Sequence, residues 1–299
     1  MKLLPIAAAV SVALLSSNVL AEDDLFHGYM RAGVGMGSET GANAKWQEFK
    51  VGRLGNENDF YGEFGFYKDL YKHNDVTFRV ESMLSFWDNA FSEGDGTNTD
   101  VAQFNIQAKG LFDFDKEAVL WAGKRFYQRH DIHITDFYYW NTSNLGGGIE
   151  QIQMGPGRLS VAVLQDGGAQ DIQEQGGPDS DPRGITAFIG DVRYAGIPLW
   201  KDADLELGIN YNYANERNNQ DVVADDGVMG TAILTQSFDG GFNKTVLQGG
   251  NNGYGAQMVQ YGAGAGYFRA DADDSSDDNR NKIRTLSVRT EITQILLPI

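Results

Sequence analysis

The stretch Phe60-Tyr61-Gly62-Glu63-Phe64-Gly65-Phe66-Tyr67 divides by parity into two unlike sets, Phe60, Gly62, Phe64 and Phe66 against Tyr61, Glu63, Gly65 and Tyr67. Successive side chains of a β-strand point to opposite faces, so a period of two predicts a strand with one apolar and one wetted face. The same alternation recurs along the chain. Phe26, Gly28, Met30, Ala32, Val34 and Met36 oppose His27, Tyr29 and Arg31, and Val76, Phe78, Val80, Leu84 and Phe86 oppose Thr77, Arg79, Glu81 and Ser85. Ala102, Phe104, Ile106 and Ala108 oppose Gln103, Asn105, Gln107 and Lys109; Leu205, Leu207, Ile209, Tyr211 and Tyr213 oppose Glu206, Gly208, Asn210 and Asn212. Turn-forming clusters such as Lys72-His73-Asn74-Asp75 and Gly94-Asp95-Gly96-Thr97-Asn98 separate these runs. The pattern predicts an all-β antiparallel meander with roughly ten or eleven strands before residue 250.

The 299 residues carry 41 Asp plus Glu against 24 Lys plus Arg, a net charge of −17, and no Cys. A disulfide scaffold and a Cys-ligated metal are excluded, and so acidic a chain would repel nucleic-acid phosphate. Residues 1–21 read as a signal peptide: Lys2, an apolar run from Leu3 to Leu15, then the small-residue exit Val19-Leu20-Ala21. The run is too short for a membrane helix, and no later stretch reaches the roughly 20 apolar residues that one needs. The mature chain is therefore expected from Glu22, exported, and either periplasmic, secreted or an outer-membrane barrel.

Two architectures explain alternation in an exported protein. A soluble sandwich buries its apolar face between two sheets, whereas a transmembrane barrel turns that face to lipid and its polar face to a wetted lumen. Arg, Glu, Lys, Gln and Tyr share the polar parity, which suits a channel wall, and Trp46, Tyr61, Tyr67, Trp121, Tyr211 and Tyr213 at strand ends fit an aromatic girdle. Both architectures remain open on pattern alone.

The segment Trp121-Ala122-Gly123-Lys124-Arg125-Phe126-Tyr127-Gln128-Arg129-His130-Asp131-Ile132-His133-Ile134-Thr135-Asp136-Phe137-Tyr138-Tyr139-Trp140 resembles the strand and inward-folded third loop of maltoporins, the sugar-specific porins of Gram-negative outer membranes. Phe26-His27-Gly28-Tyr29 with Arg31, Arg53-Leu54-Gly55-Asn56-Glu57, Gly146-Gly147-Gly148-Ile149-Glu150 and Gly241-Phe242-Asn243-Lys244 extend the likeness from about residue 24 to about residue 248. The resemblance implies an antiparallel transmembrane β-barrel of the sugar-porin type, eighteen strands in the intact family, which assembles as a homotrimer in outer-membrane lipid. It implies a porin for maltose and maltodextrins, with no cofactor, no metal and no enzymatic step.

By the same resemblance, Tyr29, Tyr61 and Phe242 are members of an aromatic slide, and Tyr138 narrows the constriction. Arg31, Arg53, Glu63, Arg129, Asp131 and Asp136 form an ionic track, with His133 beside it. A pyranose has apolar C–H faces and a hydroxyl rim, so flat rings carry the face while Arg, Asp and Glu exchange hydrogen bonds with the rim. Ala102 stands where the family pattern expects a track Arg, and Trp87 or Phe91 are the candidates for a second-loop aromatic. Eighteen strands need on the order of 400 residues. The expectation is therefore a partial barrel over 22–270, with 271–299 as an atypical, frame-shifted tail on a truncated chain.

Blander readings stand beside these. His130 and His133, which flank Asp131, are two histidines with no third ligand at suitable metal spacing. Asp131 and Asp136 in an Arg-rich wall are ionised partners of Arg125 and Arg129 rather than a glycosidase pair. Gly146-Gly147-Gly148 lacks the Lys-Ser or Lys-Thr of a phosphate loop and reads as a turn or bulge. Rival functions are a porin for another oligosaccharide, a weakly selective porin, and a soluble exported carbohydrate-binding β-protein.

Overall fold

The computed structural model describes residues 26–32, 46–48, 52–56, 60–88, 98–132, 137–165, 186–215, 222–251, 268–271 and 284–294. Its elements are all strands: β1 (Phe26–Ala32), β2 (Trp46–Glu48), β3 (Gly52–Asn56), β4 (Phe60–His73), β5 (Val76–Asp88), β6 (Asn98–Lys109), β7 (Val119–Arg125), β8 (His130–Ile132) and β9 (Phe137–Trp140). They continue with β10 (Asn144–Met154), β11 (Gly157–Gln165), β12 (Thr186–Trp200), β13 (Ala203–Asn215), β14 (Val222–Asp225), β15 (Gly227–Phe238), β16 (Gly241–Asn251), β17 (Phe268–Asp271) and β18 (Arg284–Gln294).

Twelve of these form one antiparallel sheet in the order β1-β4-β5-β6-β7-β10-β11-β12-β13-β15-β16-β18, while β2–β3, β8–β9 and β14–β17 make separate two-stranded pairs. Eleven of the sheet strands start before residue 250, as the alternation predicts. The twelfth, β18, pairs with β16 along its whole length, from Gly241 opposite Gln294 to Asn251 opposite Arg284. Among the described residues no ladder joins β1 to β18.

The register carries one polar face across the sheet. Tyr29 pairs with Glu63 and Glu63 with Ser85; farther on, Ser160 pairs with Arg193, Arg193 with Gly208, Gly208 with Thr231 and Thr231 with Gln248. This face is the buried one. Gln103, Asn105, Ser160, Asp191, Arg193, Asn210, Asn212, Thr231 and Gln248 are all buried, whereas Phe64, Leu84, Phe104, Val161, Val192, Ile209 and Leu247 of the apolar parity are exposed. A soluble sandwich would have the opposite polarity. Apolar exposure on one face, repeated from strand to strand among the described side chains, over a hydrogen-bonded polar interior, is the polarity of a membrane barrel wall.

What buries the polar face is the segment between β7 and β10, which turns back against the sheet instead of extending it. Tyr139 and Trp140 pack with Met229, Ile233 and Val246, and Trp121 and Tyr127 with Ala162 and Leu164. Trp140 lies so close to β13 that a Cβ on Gly208 would fall 2.1 Å from its ring, so glycine is what lets the indole seat there.

Several expectations change. Trp121 is no girdle residue: it is buried and stacked on Tyr127 at 5.1 Å. Tyr61 and Tyr67 share the polar face, leaving Tyr211 and Tyr213 on the exposed apolar face, joined there by Trp200. The Trp46 side chain lies outside the described residues. Gly146–Gly148 is neither turn nor bulge but the middle of β10, paired on both sides, where a Cβ at Gly146 would come 2.4 Å from the Val163 carbonyl oxygen; the bulge follows between Ile149 and Ile152. Ala102 is the extra residue of a bulge in β6 opposite Met83 and Leu84, and is buried.

Candidate functional site

Two adjacent antiparallel strands, β1 and β4, build the first part of the site. Arg31 lies opposite Tyr61 and Tyr29 opposite Glu63, so all four side chains share the polar face. The Tyr29 and Tyr61 rings stand 6.1 Å apart at 57°. Residues two apart on a strand share a face, and the Tyr61 hydroxyl donates to Glu63 Oε1 at 2.6 Å. The Arg31 guanidinium carbon lies 5.2 Å from the centroid of the Tyr61 ring. One tyrosine thus carries a cation at its face and a carboxylate at its hydroxyl.

The second part comes from the folded-back segment. Arg129 lies 3.6 Å from the centroid of Phe126 and 4.6 Å from that of Tyr138, a cation held between two aromatic residues. Asp131 in β8 pairs with Tyr138 in β9. Both Arg129 and Arg31 lie within electrostatic reach of the Tyr61 hydroxyl, so the segment delivers its own charge to the same tyrosine that β1 and β4 present. His130 Nε2 lies 3.1 Å from Glu206 Oε1 on β13, and its ring stacks on Tyr139 and Trp140.

Of the residues singled out from sequence, Tyr29, Arg31, Tyr61, Glu63, Arg129, Asp131 and Tyr138 therefore fall in one neighbourhood. Phe242 shares the polar face by register but sits on β16, next to the last strand of the sheet, with Lys244 Nζ 5.4 Å from its ring centroid. Arg53 lies in β3, its side chain outside the described residues, as are His133, Asp136 and Phe91 altogether. Among the described residues no group of three or more His, Cys, Asp or Glu side chains is placed to hold a metal ion.

Sequence reading missed Phe126, although it directly precedes Tyr127 in the quoted segment, because an aromatic under a guanidinium has no spacing signature. Trp87, a candidate for the second-loop aromatic, lies opposite Tyr61 at the end of β5 and so shares the site's face. The arrangement offers flat rings edged by fixed charges of both signs. It can bind a molecule with apolar faces and a hydroxyl rim, weakly and at several neighbouring points.

Comparison with known proteins points the same way. A family model described as LamB porin matches residues 25–293. A protein called maltoporin in Vibrio cholerae is 47% identical over 265 residues, covering 88% of this chain and 60% of that protein. A maltoporin of Photobacterium profundum is 41% identical, covering 95% of this chain and 69% of its own length. One named maltoporin 2 in Yersinia pseudotuberculosis is 45% identical, covering 87% and 63%. The chain thus spans about three fifths of the length of the first of these relatives.

Proposed function

Because this chain belongs to the LamB porin family, whose members are channels and not enzymes, we propose that it forms the wall of an outer-membrane porin through which maltose and maltodextrins diffuse. The observation that carries this reading is the convergence of Tyr29, Tyr61, Arg31, Glu63, Arg129 and Tyr138 on the polar face of a sheet whose other face is apolar and exposed. A glucose unit lays its C–H face on the Tyr29 and Tyr61 rings while its hydroxyls exchange partners with Glu63 and the two arginines. Each such contact is weak and resembles the next, and transport requires this, since a single deep well would trap the solute.

The remaining parts of the proposal follow from membership. Residues 1–21 direct export, Gram-negative outer-membrane lipid surrounds the apolar face, and three copies assemble. Phe242, Arg53, Asp136 and His133 extend the slide and the track. A weakly selective porin, or one for another oligosaccharide, is the second reading, supported by the buried bulge residue Ala102, which offers no charge to a passing sugar.

The test is ion current through the chain in planar bilayers, with maltohexaose or sucrose added. Reversible block by maltohexaose and none by sucrose is the expected result. Equal response to both sugars overturns the specific reading, and recovery of the native protein from the periplasm without detergent overturns the porin.

A further inference from the structure

Among the described residues, a densely bonded buried pair takes no part in the sugar site. Asp191 and Arg193 are neighbours on one face of β12 and form an ion pair whose side chains are 0% and 1% exposed, with Arg193 Nε and Nη2 each donating to the carboxylate at 2.8 Å. A pair within one strand ties nothing together by itself. What it holds is the segment folded onto the wall.

Arg193 Nη1 donates to the Gln128 carbonyl oxygen at 2.5 Å, and Nη2 also donates to Thr142 Oγ1 at 3.1 Å. Thr142 Oγ1 in turn donates to Asp191 Oδ2 at 3.1 Å. Gln128 precedes β8 and Thr142 follows β9, so the pair grips both stems of the segment. Between the stems, the guanidinium lies 3.7 Å from the centroid of the Trp140 ring, and Asn210 links Asp191 Oδ2 at 2.7 Å to the Trp140 indole N–H at 2.9 Å. Gln128 has φ 39°, a left-handed conformation that costs a non-glycine residue energy, and its side chain is tied to Glu150 and Ser160. Arg129, the cation of the segment's site residues, directly follows this pinned residue.

We propose that Asp191 and Arg193 are positioning residues: they clamp both stems of residues 128–142 to the wall and so set where Arg129, Asp131 and Tyr138 stand in the passage. The consequence for sugars rests on the proposed porin function, whereas the clamp does not. Burying two charges costs several kcal/mol, so an isosteric neutral wall would be at least as stable. The pair is used here to fix one geometry, through a fork of donors that a lysine cannot reproduce.

The experiment compares the full chain with D191N/R193M, which leaves no uncompensated buried charge, and with R193K, which keeps the charge and loses the fork. Folding of each is checked by the gel shift between heated and unheated samples. In folded protein, trypsin cleavage of the Arg129–His130 bond is expected to rise at least about tenfold in D191N/R193M, with R193K between it and the wild type. In bilayers, the maltohexaose residence time is expected to fall by roughly the same factor. Cleavage at an unchanged rate in folded D191N/R193M overturns the clamp. Increased cleavage in a protein that maltohexaose does not block, even as wild type, upholds the clamp and overturns the sugar reading. If D191N/R193M does not fold, cleavage in folded R193K decides the matter in the same way.

Discussion

Ile209 stands 60% exposed at the centre of the thirteen-residue strand β13, with six residues on either side. At about 3.3 Å per residue it lies about 20 Å along the strand from either end, and a tilt of about 40° reduces that to a depth of about 15 Å. This is half the thickness of a bilayer core of about 30 Å. Its outward neighbours are apolar, with Val192 directly opposite it on β12 and Val161 opposite Val192 on β11. Ile209→Lys therefore puts an ammonium at the membrane midplane, where a charge on a barrel's lipid face costs about 2–4 kcal/mol, or about 30- to 900-fold in the folding equilibrium. Tyr213→Lys, four residues nearer the strand end and so about 10 Å from the midplane by the same arithmetic, lies toward the interface, where the cost of the charge falls toward about 0–1 kcal/mol. On a water-facing sheet both substitutions would stay within about 0.5 kcal/mol of wild type. Urea titration of the chain in phospholipid vesicles, read by the gel shift of the folded form, measures both. An Ile209→Lys loss no larger than that of Tyr213→Lys would refute the assignment of the exposed apolar face to lipid.

Other outcomes follow from local geometry. Gly208→Ala drives a methyl group into the Trp140 ring and should cost about 1–3 kcal/mol as an overpacked contact; an unchanged unfolding midpoint would show that the indole is not seated there. Asp115, between β6 and β7, accepts from the backbone N–H of Gln153 at 2.6 Å and of Glu117 at 2.9 Å, and these bonds hold its pKa below the ordinary carboxylate value. A lowered folded-state pKa gives stability that is fully present above the unfolded value, near pH 4, and lost as pH falls through the folded one. Hydrogen exchange at the Gln153 amide should therefore accelerate, relative to its intrinsic rate, as the pH drops below about 4, and Asp115→Asn should abolish that dependence. An acid response that persists in Asp115→Asn would place its cause elsewhere.

Alternation made the sheet legible because burial enforces it strand by strand. Phe60 to Tyr67 and Leu205 to Tyr213 keep one period from end to end, and the register leaves their parity sets on opposite faces. The pattern breaks where the backbone does. Ala102 takes the apolar parity in sequence, yet the bulge opposite Met83 and Leu84 makes it the extra residue, and no composition signal marks that position. The run Gly146–Gly148 looks like a turn because glycine serves turns, but it is also what closely approaching neighbours at mid-strand demand. In the site, Tyr29, Arg31, Tyr61 and Glu63 could be placed together because they share two strands and one parity. Asp191 and Arg193 could not, because their importance comes from Gln128, Thr142 and Trp140, which are distant in sequence and reach them only when the segment folds back. Strand β18 lies beyond the stretch over which strands could be counted, where the acidic run from Asp271 to Asp278 interrupts the alternation.

The proposed path of the sugar runs over the Tyr29 and Tyr61 rings, edged by Arg31 and Glu63. Single-channel block by maltohexaose in Tyr61→Ala against wild type tests it most directly. A loss of about 1–2 kcal/mol in sugar binding is expected, roughly a five- to thirtyfold rise in the blocking constant, with open-channel conductance equal or higher. An unchanged blocking constant in a folded, conducting Tyr61→Ala channel would contradict it.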